Sequence, residues 1–231
     1  MSYSYISHIA RNAQIPTFER FARFVLENQE HITPLGFSKD FGSMQKMYMK
    51  SKSSDFFCSQ ADELAGRLVE SSNTAFAGII MSALCKLTEF FPEKLEGFAK
   101  KGYEIAKSNG DYIHMMARLN NLRKVYQGRF DKLYEYLQVL YKQEKCLKEM
   151  TNHYESAVGK YQSVVRNAAS RNDYENMLAY VQTEIAKLTR KKHPYDAQAK
   201  LLNARQIFEK RGNHQSVGYI NMLLSKIQDN I

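Results

Sequence analysis

The 231-residue chain has no tryptophan, four prolines, eleven glycines and three cysteines. So few prolines and glycines leave little material for short strands joined by tight turns, and they favour long helices. Cys58, Cys85 and Cys146 are odd in number, widely spaced and form no C-x-x-C pair. That argues against a disulfide framework and predicts buried free thiols in a reducing compartment. The most apolar run, Ala75 to Cys85, is closed by Lys86 after about eleven residues, whereas a membrane span needs about twenty. The opening MSYSYISHIARNAQ lacks the basic-then-apolar order and the small-residue cleavage site of a signal peptide. The expectation is a soluble, cytoplasmic protein with no membrane partner.

The motifs of common active sites are missing as well. There is no H-E-x-x-H, no G-x-x-x-x-G-K-[ST], no G-x-G-x-x-G and no G-x-S-x-G. His8, His31, His114, His153, His193 and His214 are scattered, with no cysteine at metal-binding spacing. Acidic neighbours such as Asp62 and Glu63 fit one exposed helix face. No catalytic residue, metal site or cofactor is predicted, and the expected function is not enzymatic.

What is present is apolar periodicity and positive charge. Apolar residues make up 44% and charged residues 25%, ordinary for a globular protein long enough to bury its own core. The net charge is +9, unevenly placed: residues 1–70 hold eight basic and eight acidic side chains, and 181–231 alone contribute +5. An acidic partner follows, protein or nucleic acid.

Taken in order, Pro16-Thr17 opens a helix to about residue 30, with Phe18, Phe21, Ala22, Val25 and Leu26 on one face. Pro34, Gly36 and Gly42 predict a loop over residues 31–43. Met44, Met47 and Met49 alternate with Lys46, Lys50 and Lys52, which reads as a short helix over a core edge or an adaptable docking surface. A helix over 55–70 offers Phe56, Phe57, Leu64, Leu68 and Val69 for burial. From residue 73 the pattern is regular. Helices are predicted over 73–90, from Pro92 to Asn109-Gly110, and over 112–127, 131–150, 153–170, 174–189, 194–211 and 214–228. Restarts near Pro92, Asp131, Asp173 and Asn213 recur at about forty residues, the spacing of stacked helical hairpins. The organisation expected is a helical region over 1–70, capping or docking, followed by repeats over 71–231.

The stretch ARLNNLRKVYQGRFDKLYEYL from Ala117 resembles a tetratricopeptide repeat, whose first helix follows A-x-x-L-x-N-L-G-x-x-Y. YEIAKSNGD from Tyr103 looks like the end of a second helix in the longer variant of that repeat, AKLLNARQIFEKRGNHQSVGYINMLL from Ala199 looks like another copy, and Gly159 to Val181 resembles a middle one. The likeness covers about residues 73–231. It departs from the pattern at Arg123, Val165 and Arg205, where the repeat has a small residue, and the turn at Gln127-Gly128-Arg129 is short. The resemblance implies an all-α fold of antiparallel hairpins stacked as a short right-handed solenoid. It also implies a scaffold or adaptor that holds a peptide or protein, acidic in character, in an inner groove. Carried over by position, the groove residues are Asn120, Asn121 and Lys124, then Gln162, Ser163 and Arg166, then Asn203 and Gln206.

Two alternatives stay open. Lys187, Arg190, Lys191 and Lys192 form a basic cluster that suits phosphates or acidic side chains, with Tyr180 and Tyr195 flanking it in sequence as stacking rings. That reading makes the chain a nucleic-acid-associated regulator. The other is a self-assembling structural protein whose end hairpins pair.

Overall fold

The computed structural model describes Tyr5 and residues 17–50, 54–152 and 170–228. Among these the fold is all-α, with ten α-helices and no strand. The chain divides into two compact units, residues 1–109 and 110–231. The first holds α1 (Phe18–Glu27), α2 (Pro34–Lys50), α3 (Ser54–Glu70), α4 (Thr74–Leu87) and α5 (Pro92–Ser108). The second holds α6 (Tyr112–Tyr126), α7 (Leu133–Asn152), α8 (Arg171–Thr189), α9 (Pro194–Lys210) and α10 (His214–Gln228). Short 3-10 turns, Gln29–His31 and Phe130–Lys132, precede α2 and α7. The change of sequence character near residue 70 falls between α3 and α4, inside the first unit.

Local chemistry explains most of the boundaries. Thr17, Asn73, Asp111 and Ser170 each accept a backbone N–H of the first turn they cap, and Ser170 with Asp173 forms a full capping box. Pro92 and Pro194 occupy first-turn positions, where their missing N–H costs nothing. One turn recurs: a left-handed residue followed by an Asx cap, at Gly110-Asp111 and Gly212-Asn213. Ser72, at φ 63°, takes the same role before Asn73 without glycine's freedom.

The predicted loop over residues 31–43 is corrected: from Pro34 onward this stretch is the first half of α2. Thr33 accepts the Gly36 N–H at 3.1 Å, and Pro34 begins the helix. Phe37, Asp40, Phe41 and Met44 then form one buried stripe. Packing of that stripe outweighs the propensity cost of two glycines, about 1 kcal/mol each. Asp40 is buried because it accepts the Tyr5 backbone N–H at 2.6 Å. Phe37 stacks on Phe76 of α4 with centroids 4.4 Å apart, and Phe18, Phe21, Phe41 and Phe57 complete an aromatic core. Of the side chains predicted for burial on α3, Phe56 and Val69 are exposed instead. Ion pairs Asp55–Lys94 at 2.7 Å and Asp62–Lys101 join α3 to α5. Both span 39 residues, so the two helices run parallel, one repeat apart.

In the second unit each helix packs on the next, α6 to α10 in order. Contacts fix the directions. Asn120 meets Gln143, while Tyr112, earlier on α6, meets Cys146, later on α7. Gln182 meets Asn203, while Glu175 meets Arg211. Glu144 meets Gln182, and Tyr136 lies beside Glu184 and Lys187. Among the described helices, the packed pairs α6–α7, α7–α8 and α8–α9 are therefore antiparallel. The helix predicted over 153–170 lies outside the described residues. Leu133, the first residue of α7, is exposed. The buried face instead includes Gln143 and Glu144, because α7 is enclosed by α6 and α8.

All three cysteines are buried and unpaired. Burial, with Asp111 and Glu149 nearby, pushes the Cys146 thiol up to about 12, so it carries almost no thiolate near neutrality. An aromatic disulfide reagent at mildly alkaline pH is expected to label three thiols in concentrated guanidinium and none promptly in the native protein. Fast native labelling at Cys146 would mean that the α6–α7 interface opens readily.

Candidate binding site

Antiparallel order brings the turn after α6 and the turn after α8 to the same end of the second unit. Tyr136, near the start of α7, marks their meeting: Arg123 of α6 and Glu184 and Lys187 of α8 all act on it. Its hydroxyl pKa is raised by burial first and by Glu184 next, against Arg123 and Lys187. Arg123 acts on the hydroxyl, yet no described group meets hydrogen-bond geometry with it. So the arginine at a position where the repeat resemblance requires a small side chain is half-buried against a tyrosine. Arg205, at the matching place on α9, reaches Glu209 at 3.2 Å and Asn221 of α10 at 3.5 Å.

This end is basic. Stretches 123–136 and 184–196 together hold eight basic and four acidic side chains. The whole second unit has twenty and twelve, the first thirteen and twelve. Each acid here is matched: Asp131 by Arg129 at 3.0 Å, Glu135 by Lys132 at 3.1 Å, Glu184 by Lys187 at 3.4 Å and Asp196 by Lys200 at 3.8 Å. Asp131 is held below the usual carboxylate range by that arginine. Arg190, Lys191 and Lys192 have no acidic partner among the described residues. Rings stand among these charges. Phe130 is 96% exposed, Tyr134 71% and Tyr195 71%, and the two tyrosines occupy the second positions of α7 and α9.

The residues predicted for a site are divided between this end and other parts of the unit. Asn120 accepts from Gln143 at 2.8 Å, and Asn203 donates to Gln182 at 2.6 Å. Both asparagines therefore bridge to a neighbouring helix. Asn121 is half-buried; Lys124, Asn203 and Gln206 are exposed. Lys124 stands at the basic end, whereas Asn203 and Gln206 belong to the second half of α9, near the opposite end. Gln162, Ser163 and Arg166 lie outside the described residues. Lys187, Arg190, Lys191 and Lys192 are together, but Tyr180 is not with them. Its ring packs on Phe208 at 4.9 Å, about 15 Å along the helix from Arg190. Phe130 and Tyr134 are the residues sequence reasoning missed. Their signal was an exposed-type turn rich in Arg and Lys, but only the direction of α8 joins it to residues 190–192.

Behind the surface lies a buried polar network. Glu144 accepts from Lys200 at 2.9 and 3.0 Å, from Lys148 at 2.9 Å and from Gln182 at 3.0 Å. Burial works to raise its pKa, but the bonds from Lys200, Lys148 and Gln182 prevail and hold it low. The Lys200 ammonium also sits over the Tyr141 ring at 5.6 Å.

In the first unit, a cavity of about 550 Å³ opens between Leu26–His31 and Ser71–Ala75. Its polar groups are spent locally, Ser71 on Gln29 at 3.1 Å and Asn73 on the first turn of α4. No group of three or more His, Cys, Asp or Glu among the described residues is placed to hold a metal, and no described helix is long and apolar enough to cross a membrane. Comparison of the chain with protein-family models, with curated proteins and with solved structures finds no match. The class that the coordinates define is an all-α, helical-repeat-like protein with neighbouring helices packed in sequence order.

Proposed function

We propose that this chain is a non-catalytic binding protein of tetratricopeptide-like hairpins, and that it holds an anionic partner at the basic end of its second unit. The observation that carries this is the surplus of Arg190, Lys191 and Lys192 beside exposed rings, on a frame whose own acids are already paired. The tetratricopeptide reading rests on helix starts. Pro34, Thr74 and Tyr112 begin at intervals of 40 and 38 residues; Ser54, Pro92 and Leu133 at 38 and 41. That regularity begins at α2, earlier than the apolar periodicity alone suggests. A frame of packed helices is ordered before binding, so little entropy is lost there on capture. The resemblance favours an acidic protein or peptide segment as partner. Nucleic acid is the second reading, and the exposed rings favour it.

The test is charge reversal. Arg190, Lys191 and Lys192 changed together to Glu are expected to abolish retention on an immobilised polyanion such as heparin. The same change at Lys39, Lys46 and Lys50 of the first unit, equal in net charge, leaves retention close to wild type. Equal losses in both triples would show that bulk charge, not this end, makes the contact.

A further inference from the structure

We infer that the basic end of the second unit is a binding site for single-stranded nucleic acid, with phosphates on the 190–192 turn and bases stacked on Phe130, Tyr134 and Tyr195. This rests on the anionic-partner reading and names the partner's class. A polyanion alone needs only cations. The rings are the additional feature, and they are costly to leave in water: Phe130 is almost fully exposed, at the tip of the Phe130–Lys132 turn. Tyr134 and Tyr195 stand on the first turns of α7 and α9, rigid elements that begin at the same end. An aromatic face beside a cation is the arrangement that takes an unpaired base and its phosphate together, tolerant of sequence because every base has a π-face. A duplex hides those faces, and a chain of Asp and Glu has none. Two helix amino termini also point to this end, where backbone N–H groups favour negative charge.

The experiment is fluorescence anisotropy with the full chain at low salt. Four labelled probes of matched charge are used: oligouridylate RNA, oligothymidylate DNA, an RNA duplex and a polyglutamate peptide. Single strands are expected to bind at least about tenfold more tightly than the duplex or the peptide. Phe130→Ala with Tyr134→Ala and Tyr195→Ala is expected to weaken single-strand binding about 100-fold and to leave the duplex unchanged. Tyr134→Phe with Tyr195→Phe keeps the rings and keeps binding. Arg190→Gln, Lys191→Gln and Lys192→Gln together weaken every probe and flatten the salt dependence, by a slope of about two for single strands. The RNA and DNA arms decide whether the sugar is read. If polyglutamate binds as tightly as the single strands and the ring variant is silent, the nucleic-acid inference fails while the anionic-partner reading stands. If no probe binds at low salt, both fail.

Discussion

Lys200→Met is expected to destabilise the second unit by about 3 kcal/mol, because it leaves the Glu144 carboxylate buried without its principal cation. For a unit of this size that lowers the thermal midpoint by roughly 10 °C. Glu144 and Lys200 come from α7 and α9, and their side chains are only 6% and 12% exposed. Desolvation therefore dominates once the partner is gone. The pH dependence carries the sign. In the wild-type protein the Glu144 pKa is lowered, so its contribution is complete above the ordinary carboxylate pKa and is lost as pH falls through the folded value. With Met at 200, burial is opposed only by Lys148 and Gln182, and the pKa rises from its wild-type position. The deficit is then largest near neutrality and narrows from about pH 7 to about pH 4. Adding Glu144→Gln should recover part of the loss, since the pair is then removed rather than broken. Urea unfolding followed by circular dichroism at several pH values measures all of this. A deficit that stays constant with pH would show that Glu144 is not the group left stranded.

Phe37→Ala is expected to cost the first unit about 3–5 kcal/mol. Phe37 is fully buried, stacks on Phe76 across α2 and α4, and lies 5.8 Å from Phe41 and 6.0 Å from Phe21 between centroids. Deleting it removes one ring from an array of six and leaves a hole that backbone on two helices must close. Phe37→Leu keeps most of the volume and is expected to cost below about 1.5 kcal/mol. The same variant tests α2 itself. If Phe37 belonged to a solvated loop, its truncation would cost within about 0.5 kcal/mol, and denaturant titration separates the two outcomes easily.

That helix shows where reading the sequence runs out. Boundaries written in local chemistry were legible: Pro92 as a restart, Asn109-Gly110 as a stop and Asn213 as a further restart. So was the face of α6, where Met115, Met116, Leu119, Leu122, Val125 and Tyr126 are all buried as their spacing indicates. The stretch from Pro34 was misread because Gly36 and Gly42 speak locally while Phe37, Phe41 and Phe76 act across tertiary distance. The binding site was legible in half. Arg190, Lys191 and Lys192 are a visible cluster, but Phe130 and Tyr134 join them only because α8 runs against α7. That direction is set by side-chain pairs about forty residues apart, such as Glu144 with Gln182. Asn120 and Asn203 suited a groove by residue type, and their amides are taken up by glutamines on adjacent helices. Residue type at a repeat position does not reveal whether the neighbouring helix claims it first.

The Glu144–Lys200 link has a consequence for how the second unit opens. Helical arrays whose repeats touch only their neighbours can fray from the end, each hairpin leaving at its own free energy. Here α9 is fastened to α7 across α8 by an ion pair that is nearly dry, and Asn203 is fastened to Gln182 beside it. Releasing α9 and α10 alone would strip Glu144 of both Lys200 bonds and leave the Gln182 carbonyl without its donor in the part left behind. The backbone amides of α7, α8 and α9 are therefore expected to exchange with deuterium as one cooperative block, with no gradient of protection falling toward the last helix. A shortened chain ending near Arg190 would not be a smaller version of the same unit, but an incomplete one whose buried Glu144 keeps only the half-exposed Lys148 as its cation.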